Sequence, residues 1–247
     1  MSTQFNTMSN KLARSNLQEN VKKNHFETLE WAKNGLVCGI DEVGRGCLAG
    51  PLVTAAVILP PFKTHPLLKD SKLMTPEERL KAYSWIVKHC WFSYGIVHNR
   101  MIDQHNIWQA TLIAMKKALI GLLAQAPKPN AILVDAMPLN IQDTPYHAIP
   151  VYYFPFGERK SSSIAAASII AKVTRDQLMN QYDQLFPGFQ FAQHKGYATA
   201  QHRELLAQKS QLIIHRKSFL KNITVKSEIE LQSSIFCSTE PTKETQL

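Results

Sequence analysis

Gly39-Ile-Asp-Glu-Val-Gly-Arg-Gly46 sets two adjacent carboxylates, Asp41 and Glu42, between an apolar run and a turn whose arginine stands between glycines. The preceding run, Leu36-Val-Cys-Gly-Ile40, reads as a short buried strand. Gly44 and Gly46 mark a sharp turn where backbone can come close to a partner. Carboxylates at a strand end suit a divalent metal, and a Gly-Arg-Gly turn suits a phosphodiester. The pattern therefore points to metal-assisted phosphoryl chemistry on a nucleic acid. Neighbours on a regular strand face opposite ways. Asp41 and Glu42 are thus expected to share a site through a break in the strand, which Gly44 permits.

Working outward, Ala131-Ile-Leu-Val-Asp135 is a second short apolar run of parallel-strand type, and it too ends on a carboxylate. Residues 53–59 and 91–97 add two strands, and residues 147–154 a weaker one whose Pro150 suits an edge. Asn24-x-x-Glu27 has the form of a capping box for a helix over 26–33, closed by Gly35. Thr75-Pro76-Glu77-Glu78 opens another helix with a cap, a first-turn proline and acids. A long amphipathic helix is predicted over 104–123, with Ile107, Thr111, Ala114, Ala118 and Leu122 near one face, ended by Pro127-Lys-Pro129. Residues 161–178 form a helix whose Ala165, Ala166, Ala167, Ser168 and Ala171 let it lie close to a sheet. A further helix runs over 199–208. Three strands followed by helix–strand–helix alternation favour one α/β domain with a mixed sheet. In such sheets sites form outside the carboxyl ends of strands, where Asp41 and Asp135 both fall. The organisation read from the chain is an N-terminal extension over 1–34, partly disordered with one short helix. A domain over 35–225 and a polar tail over 226–247 follow.

The chain has 247 residues, 45% of them hydrophobic, and a net charge of +9, a balance that favours anionic partners and nucleic acid above all. Its four cysteines show no C-x-x-C spacing, so neither a disulfide framework nor a zinc site is expected. There is no basic head followed by an apolar segment, and no run near the ~18 apolar residues of a membrane span. A soluble, cytoplasmic monomer is the expectation.

Three or four carboxylates in one pocket do not all stay ionised without cations, and Mg²⁺ and Mn²⁺ prefer oxygen ligands. On that reading Asp41, Glu42 and Asp135 are the candidate ligands. Taken alone, an Asp-Glu pair is a capped turn beside a solvated charge. The adjoining glycines and the second strand-terminal aspartate favour the ligand reading.

At these residues the chain resembles a known family. Asp41-Glu-Val-Gly-Arg-Gly-Cys-Leu-Ala-Gly-Pro51 resembles the opening signature of ribonuclease HII, the type 2 ribonucleases H. Asp70-Ser-Lys72, Leu133-Val-Asp135, the run from Ser163 to Asp176, and Phe191-Ala-Gln-His-Lys-Gly-Tyr197 with Thr199 resemble the family's later motifs, in the family's order. The resemblance implies a ribonuclease H-like mixed five-stranded sheet flanked by helices, with a helical C-terminal part. It implies a Mg²⁺- or Mn²⁺-dependent, two-metal endoribonuclease that hydrolyses RNA in RNA–DNA hybrids. It also implies incision 5′ of ribonucleotides embedded in duplex DNA, leaving 3′-hydroxyl and 5′-phosphate ends. Carried over by position, Asp41, Glu42 and Asp135 become metal ligands, and Glu158 of Gly157-Glu158 stands where the family usually has an aspartate. Gly44, Arg45 and Gly46 would contact the 2′-hydroxyl and phosphate at the RNA–DNA junction, Lys72 a phosphate, and Tyr197 the neighbouring deoxyribose. Cys47 replaces a frequent proline, Leu73 a frequent lysine, and Ala136 the usual glycine after the third carboxylate. A ribonuclease HIII-like enzyme and a non-catalytic nucleic-acid-binding protein of the same fold are the alternatives.

Asp176 lies four residues after Lys172 and reads as an i,i+4 partner rather than a ligand. His194 and Lys195 sit beside Tyr197, where His194 reads as a loop residue rather than a general base. Ser161, Ser162 and Ser163 read as helix caps, with no Ser/His/Asp arrangement to make them nucleophiles.

Overall fold

A run that is apolar on both faces belongs at the centre of a sheet covered on both sides. In the computed structural model, which describes residues 22–221, that run is β1 (Val37–Val43). It is the middle strand of a five-stranded sheet of order β3-β2-β1-β4-β5. β2 (Leu52–Ile58) pairs antiparallel with β1, and β3 (Trp91–Val97) antiparallel with β2. β4 (Ala131–Asp135) lies parallel to β1, and β5 (Val151–Phe154) parallel to β4. The mixed sheet is as expected, and Pro150 does precede an edge strand. The register sets Ile40 beside Val134, so Asp41 and Asp135 follow at the carboxyl ends of adjacent parallel strands.

One expectation fails here. β1 does not break at Asp41, because β2 continues to pair with it through Glu42↔Thr54 and Val43↔Val53.

The chain between strands covers both faces. α5 (Ser162–Leu185) lies against β1 and β2 on one side, with Ala165, Ala166, Ala167 and Ala171 fully buried. The approach is so close that a Cβ on Gly39 would stand 2.1 Å from the Ser163 carbonyl carbon. α2 (Pro76–His89) packs on α5 and opens with Thr75 and Glu78 in a reciprocal capping box. α3 (Asn99–Leu123) covers the other face, burying Thr111, Ala114, Ala118 and Leu122 as the periodicity predicts. It is interrupted at Asn106 (φ 65°, ψ 165°), whose Oδ1 accepts the Gln109 N–H at 3.1 Å and so caps a second helical segment. α4 (Gly157–Lys160), α6 (Phe191–His194) and α7 (Ala200–Gln208) follow, with Thr199 capping α7.

α1 (His25–Trp31) lacks the expected capping box. Asn24 is left-handed (φ 64°) and its Oδ1 accepts from the Ser162 N–H at 2.9 Å. Glu27 is fully buried and accepts from the Ser161 hydroxyl at 2.5 Å and the Ser163 N–H at 3.0 Å. Both side chains therefore serve the start of α5, where unpaired N–H groups and the helix dipole favour an anion. Ser161 takes the cap of α5 itself, accepting from the Ile164 N–H. The first 21 residues and the tail over 226–247 lie outside the described residues.

Glu27→Ala should lower the unfolding free energy by ~2 kcal/mol, because it strands a buried N–H and hydroxyl on α5. Glu27→Gln, which keeps an acceptor, should cost less than half of that in urea titrations.

Candidate active site

Strand alternation turns Asp41 to the α5 side of the sheet, the side faced by Gly39. There it meets Ser168, and its Oδ1 accepts the Glu42 N–H at 2.7 Å. Burial, then the charges of Glu42 and Asp135, hold the Asp41 carboxyl well above the usual carboxylate range. Glu42 is pushed up to about 7 by burial, against the pull of Arg45 at 3.6 Å. Its Oε2 is buried without a hydrogen-bond partner. Asp135 is raised by burial, opposed by the Gly157 N–H that its Oδ1 accepts at 2.7 Å. Glu158 is buried and likewise raised, with the charges of Asp135 and Asp70 adding to the effect.

Lys72 acts in the opposite sense, lowering Glu42, Asp135 and Glu158. It sits on a 3-10 turn (Ser71–Leu73) capped by Asp70, whose Oδ1 accepts the Lys72 N–H at 2.9 Å. That turn is held by Arg79 donating to the Ser71 and Met74 carbonyls, and by a Ser71–Ser168 hydroxyl contact at 2.8 Å. Asp41, Glu42, Asp135, Glu158 and Lys72 thus lie near enough for their charges to act on one another, toward the carboxyl ends of β1 and β4. Ala136, the residue at the family's glycine position, is left-handed (φ 53°), where glycine sits more easily.

The glycines of the turn differ. Gly44 has φ 93°, and a Cβ there would lie 2.3 Å from Arg175 Nε, so the fold itself demands it. Gly46 would set its Cβ in open space, with nothing within 4 Å. Arg45 pairs with Glu42 and offers its carbonyl to Arg216 Nη1 at 2.8 Å. Tyr197 reaches this turn through a backbone bridge to Cys47, which is fully buried. The guanidinium of Arg175 lies 5.6 Å from the Tyr197 ring centre. Burial raises the Tyr197 hydroxyl to about 12, so it stays neutral.

With strands, carboxylates and turn in these positions, comparison with known proteins decides the family. The ribonuclease HII family model matches residues 38–222. The chain belongs to the ribonuclease HII family. Ribonuclease HII of Levilactobacillus brevis is 47% identical over 196 residues, covering 79% of this chain and 73% of that relative. The crystal structure of ribonuclease H2 from Pyrococcus horikoshii OT3 superposes with a TM-score of 0.64 at 26% identity, covering 78% of this chain and 99% of that one. Bst-RNase HIII in complex with Mn²⁺ superposes at 0.54 and 26% identity, covering 74% and 64%. Family membership carries endonuclease activity of the ribonuclease H kind.

Against this ribonuclease HII site, Asp176 stands aside. It pairs with Lys172 at 2.9 Å and lies 4.0 Å from Arg79. His194 is buried and directed at the Phe189 carbonyl, 2.6 Å away. Lys195 is tied to Asn180 and to the Ala192 carbonyl. Sequence reading missed Arg79, Ser168, Arg175 and Arg216, and it took Asp70 only as part of a motif. Ser168 and Arg175 lie inside the motif over 163–176, whereas Arg79 and Arg216 lie in none of the motifs and left no signal, since buried arginines leave no periodic trace.

The donor set fits a divalent cation. It is all carboxylate oxygen, its protons are held unusually firmly, and one buried oxygen is unpaired. Among the described residues no three such side chains already close on one point.

A pH dependence follows. A carboxyl whose folded pKa is raised binds more protons folded than unfolded, so stability is lost as pH rises through the folded value. Metal-free protein should therefore unfold at a lower temperature at pH 8.5 than at pH 6.5, with Glu42 alone contributing about 1 kcal/mol over that window. Added Mn²⁺ should raise the midpoint most at the higher pH. A midpoint independent of pH over that window would contradict the electrostatic description.

Proposed function

We propose that this chain hydrolyses RNA in RNA–DNA hybrids and incises duplex DNA 5′ of an embedded ribonucleotide, leaving 3′-hydroxyl and 5′-phosphate ends. The observation that carries the reading is the placement of Asp41 and Asp135 on adjacent parallel strand ends, beside a turn whose Gly46 is open to a partner. Asp41, Glu42 and Asp135 are the metal ligands on this reading, and Glu158 is the fourth catalytic carboxylate. A pair of Mg²⁺ or Mn²⁺ ions bound there supplies water activation and relief of charge on the leaving oxygen.

The chain's own residues do the rest. Asp41 and Asp135 each commit one oxygen to a backbone N–H, which fixes the carboxylate planes on the strand ends. Lys72 brings positive charge to the phosphate side of the site. Gly46 leaves room for the sugar–phosphate backbone to approach the peptide chain. The 2′-hydroxyl is the one group that marks a ribonucleotide within DNA, and reading it calls for such an approach. Tyr197, 37% exposed beside the turn, offers a ring face to the adjacent deoxyribose. The chain acts as a monomer in the cytoplasm on this reading.

A duplex carrying one ribonucleotide, incubated with Mg²⁺, Mn²⁺ or chelator, tests the proposal. Cleavage should occur 5′ of the ribonucleotide and vanish with chelator. Asp41→Asn or Asp135→Asn should reduce turnover by more than ~100-fold, beyond the loss typical of a residue that only supports a ligand. Near-normal turnover would remove the ligand assignment.

Gly46→Ala separates recognition from folding. Thermal unfolding should move by no more than ~0.5 kcal/mol, while KM for the single-ribonucleotide duplex rises. Unchanged KM would mean the open side of the turn does not meet substrate.

A further inference from the structure

The proposed recognition surface has two halves, the Gly44–Gly46 turn and Tyr197, which come from opposite ends of the domain. Both are held by one buried dipeptide, His215-Arg216.

Arg216 is fully buried and meets backbone carbonyls. Its Nη2 donates to Gly44 at 2.7 Å, its Nη1 to Arg45 at 2.8 Å, and its Nε and Nη2 to Gly50 at 3.2 and 3.0 Å. Its own N–H donates to Leu48 at 2.8 Å. Burial lowers the guanidinium to about 10, so it remains charged at neutral pH. The peptide unit is planar and trans, so a carbonyl and the following N–H point opposite ways. With the Gly44 and Arg45 carbonyls drawn in to Arg216, the Arg45 and Gly46 N–H groups face away from it. These are donors suited to a phosphate or hydroxyl oxygen.

His215 is bridged through its backbone to Ala49. The hydrogen bonds fix its tautomer. The Leu212 N–H stands 2.8 Å from Nδ1, and an N–H can only donate, so Nδ1 accepts. The Leu212 carbonyl is farther from the same nitrogen, at 3.3 Å. The proton of the neutral ring is therefore on Nε2, which faces His202 Nε2 at 3.1 Å. His202 Nε2 must accept, so its own proton is on Nδ1, donating to the Tyr197 carbonyl at 2.9 Å. Burial pushes both rings down to about 4, which keeps them neutral as this chain requires. His194 stacks on His202 at 4.1 Å between ring centres and closes the other side.

We propose that His215-Arg216 is a positioning clamp: Arg216 fixes the carbonyls of the Gly-Arg-Gly turn, and His215, through His202, fixes the Tyr197 carbonyl. The two halves then meet the ribonucleotide as one preorganised unit. The inference rests on the recognition roles proposed above, but none of its contacts involves the four carboxylates.

Arg216→Lys keeps the charge and loses the fork. His202→Phe keeps the ring volume and loses the relay, while His202→Asn restores a donor near the Nδ1 position. On a single-ribonucleotide duplex, Arg216→Lys and His202→Phe should raise KM about tenfold or more with kcat within about threefold, and His202→Asn should recover part of the loss. Mn²⁺ affinity by calorimetry should not change. Duplex binding by fluorescence anisotropy should weaken in parallel, which reads the clamp even if the wild-type chain cuts no such duplex. Nitrogen-15 NMR of the wild type, which needs no variant to fold, should find His202 protonated at Nδ1 and His215 at Nε2 between pH 5.5 and 8. Unchanged KM and duplex affinity in both variants, a loss confined to kcat or Mn²⁺ affinity, or His202 protonated at Nε2 would each overturn the clamp.

Discussion

Like charges on neighbouring strand ends are the constraint around which this fold is arranged. Two carboxylates about 4 Å apart repel by ~4 kcal/mol at an effective dielectric near 20. The parallel pairing of β1 and β4 sets Asp41 and Asp135 side by side at the carboxyl edge, and Glu42 and Glu158 add to the cluster. The surroundings are built to tolerate it. Backbone N–H groups take one oxygen of each aspartate, Arg45 draws on Glu42, and Lys72 faces several of the acids. On the proposed reading, what these groups leave unrelieved is met by a bound cation.

The buried cations follow a complementary logic. Arg175 and Arg216 are both fully buried, and each is satisfied by main-chain carbonyls. Arg175 donates to Pro51, Lys195 and Ala49, and Arg216 to Gly44, Arg45 and Gly50. Among the described residues neither lies within ion-pairing distance of a carboxylate. A carboxylate partner would have cancelled their charge beside the turn proposed to bind phosphate. Carbonyl dipoles solvate the guanidinium groups while leaving their net charge in place. The same contacts give an otherwise irregular loop a defined shape.

The sheet and its main helices were legible because local signals agreed. β3 and β4 carried short apolar runs of strand type, Thr75 was a strong cap, and α3 showed a regular buried face. Legibility failed where a side chain served a distant partner. Asn24 and Glu27 have the spacing of a local cap, yet the stronger demand came from the start of α5, which lies over a hundred residues away. The strand through Asp41 and Glu42 looked due to break, but pairing with β2 continues past both, and the longer Glu42 still feels Asp135 from the strand end. Asp41, Glu42 and Asp135 could be picked out because they follow short apolar strand runs, and Glu158 only through the family resemblance. The arginines that shape it could not, because a buried arginine is justified only by carbonyls that tertiary structure brings to it.

The attachment of α1 to α5 bears on how the chain matures. Asn24 and Glu27 emerge early from the ribosome, but the groups they serve, Ser161 to Ser163, emerge only after the whole sheet has been translated. At typical elongation rates that interval is on the order of ten seconds. Throughout it Glu27 has no buried niche to enter and Trp31 has no finished core. The first helix is therefore a latch that waits on a distant segment, and it can close only once the start of α5 has been laid across β1.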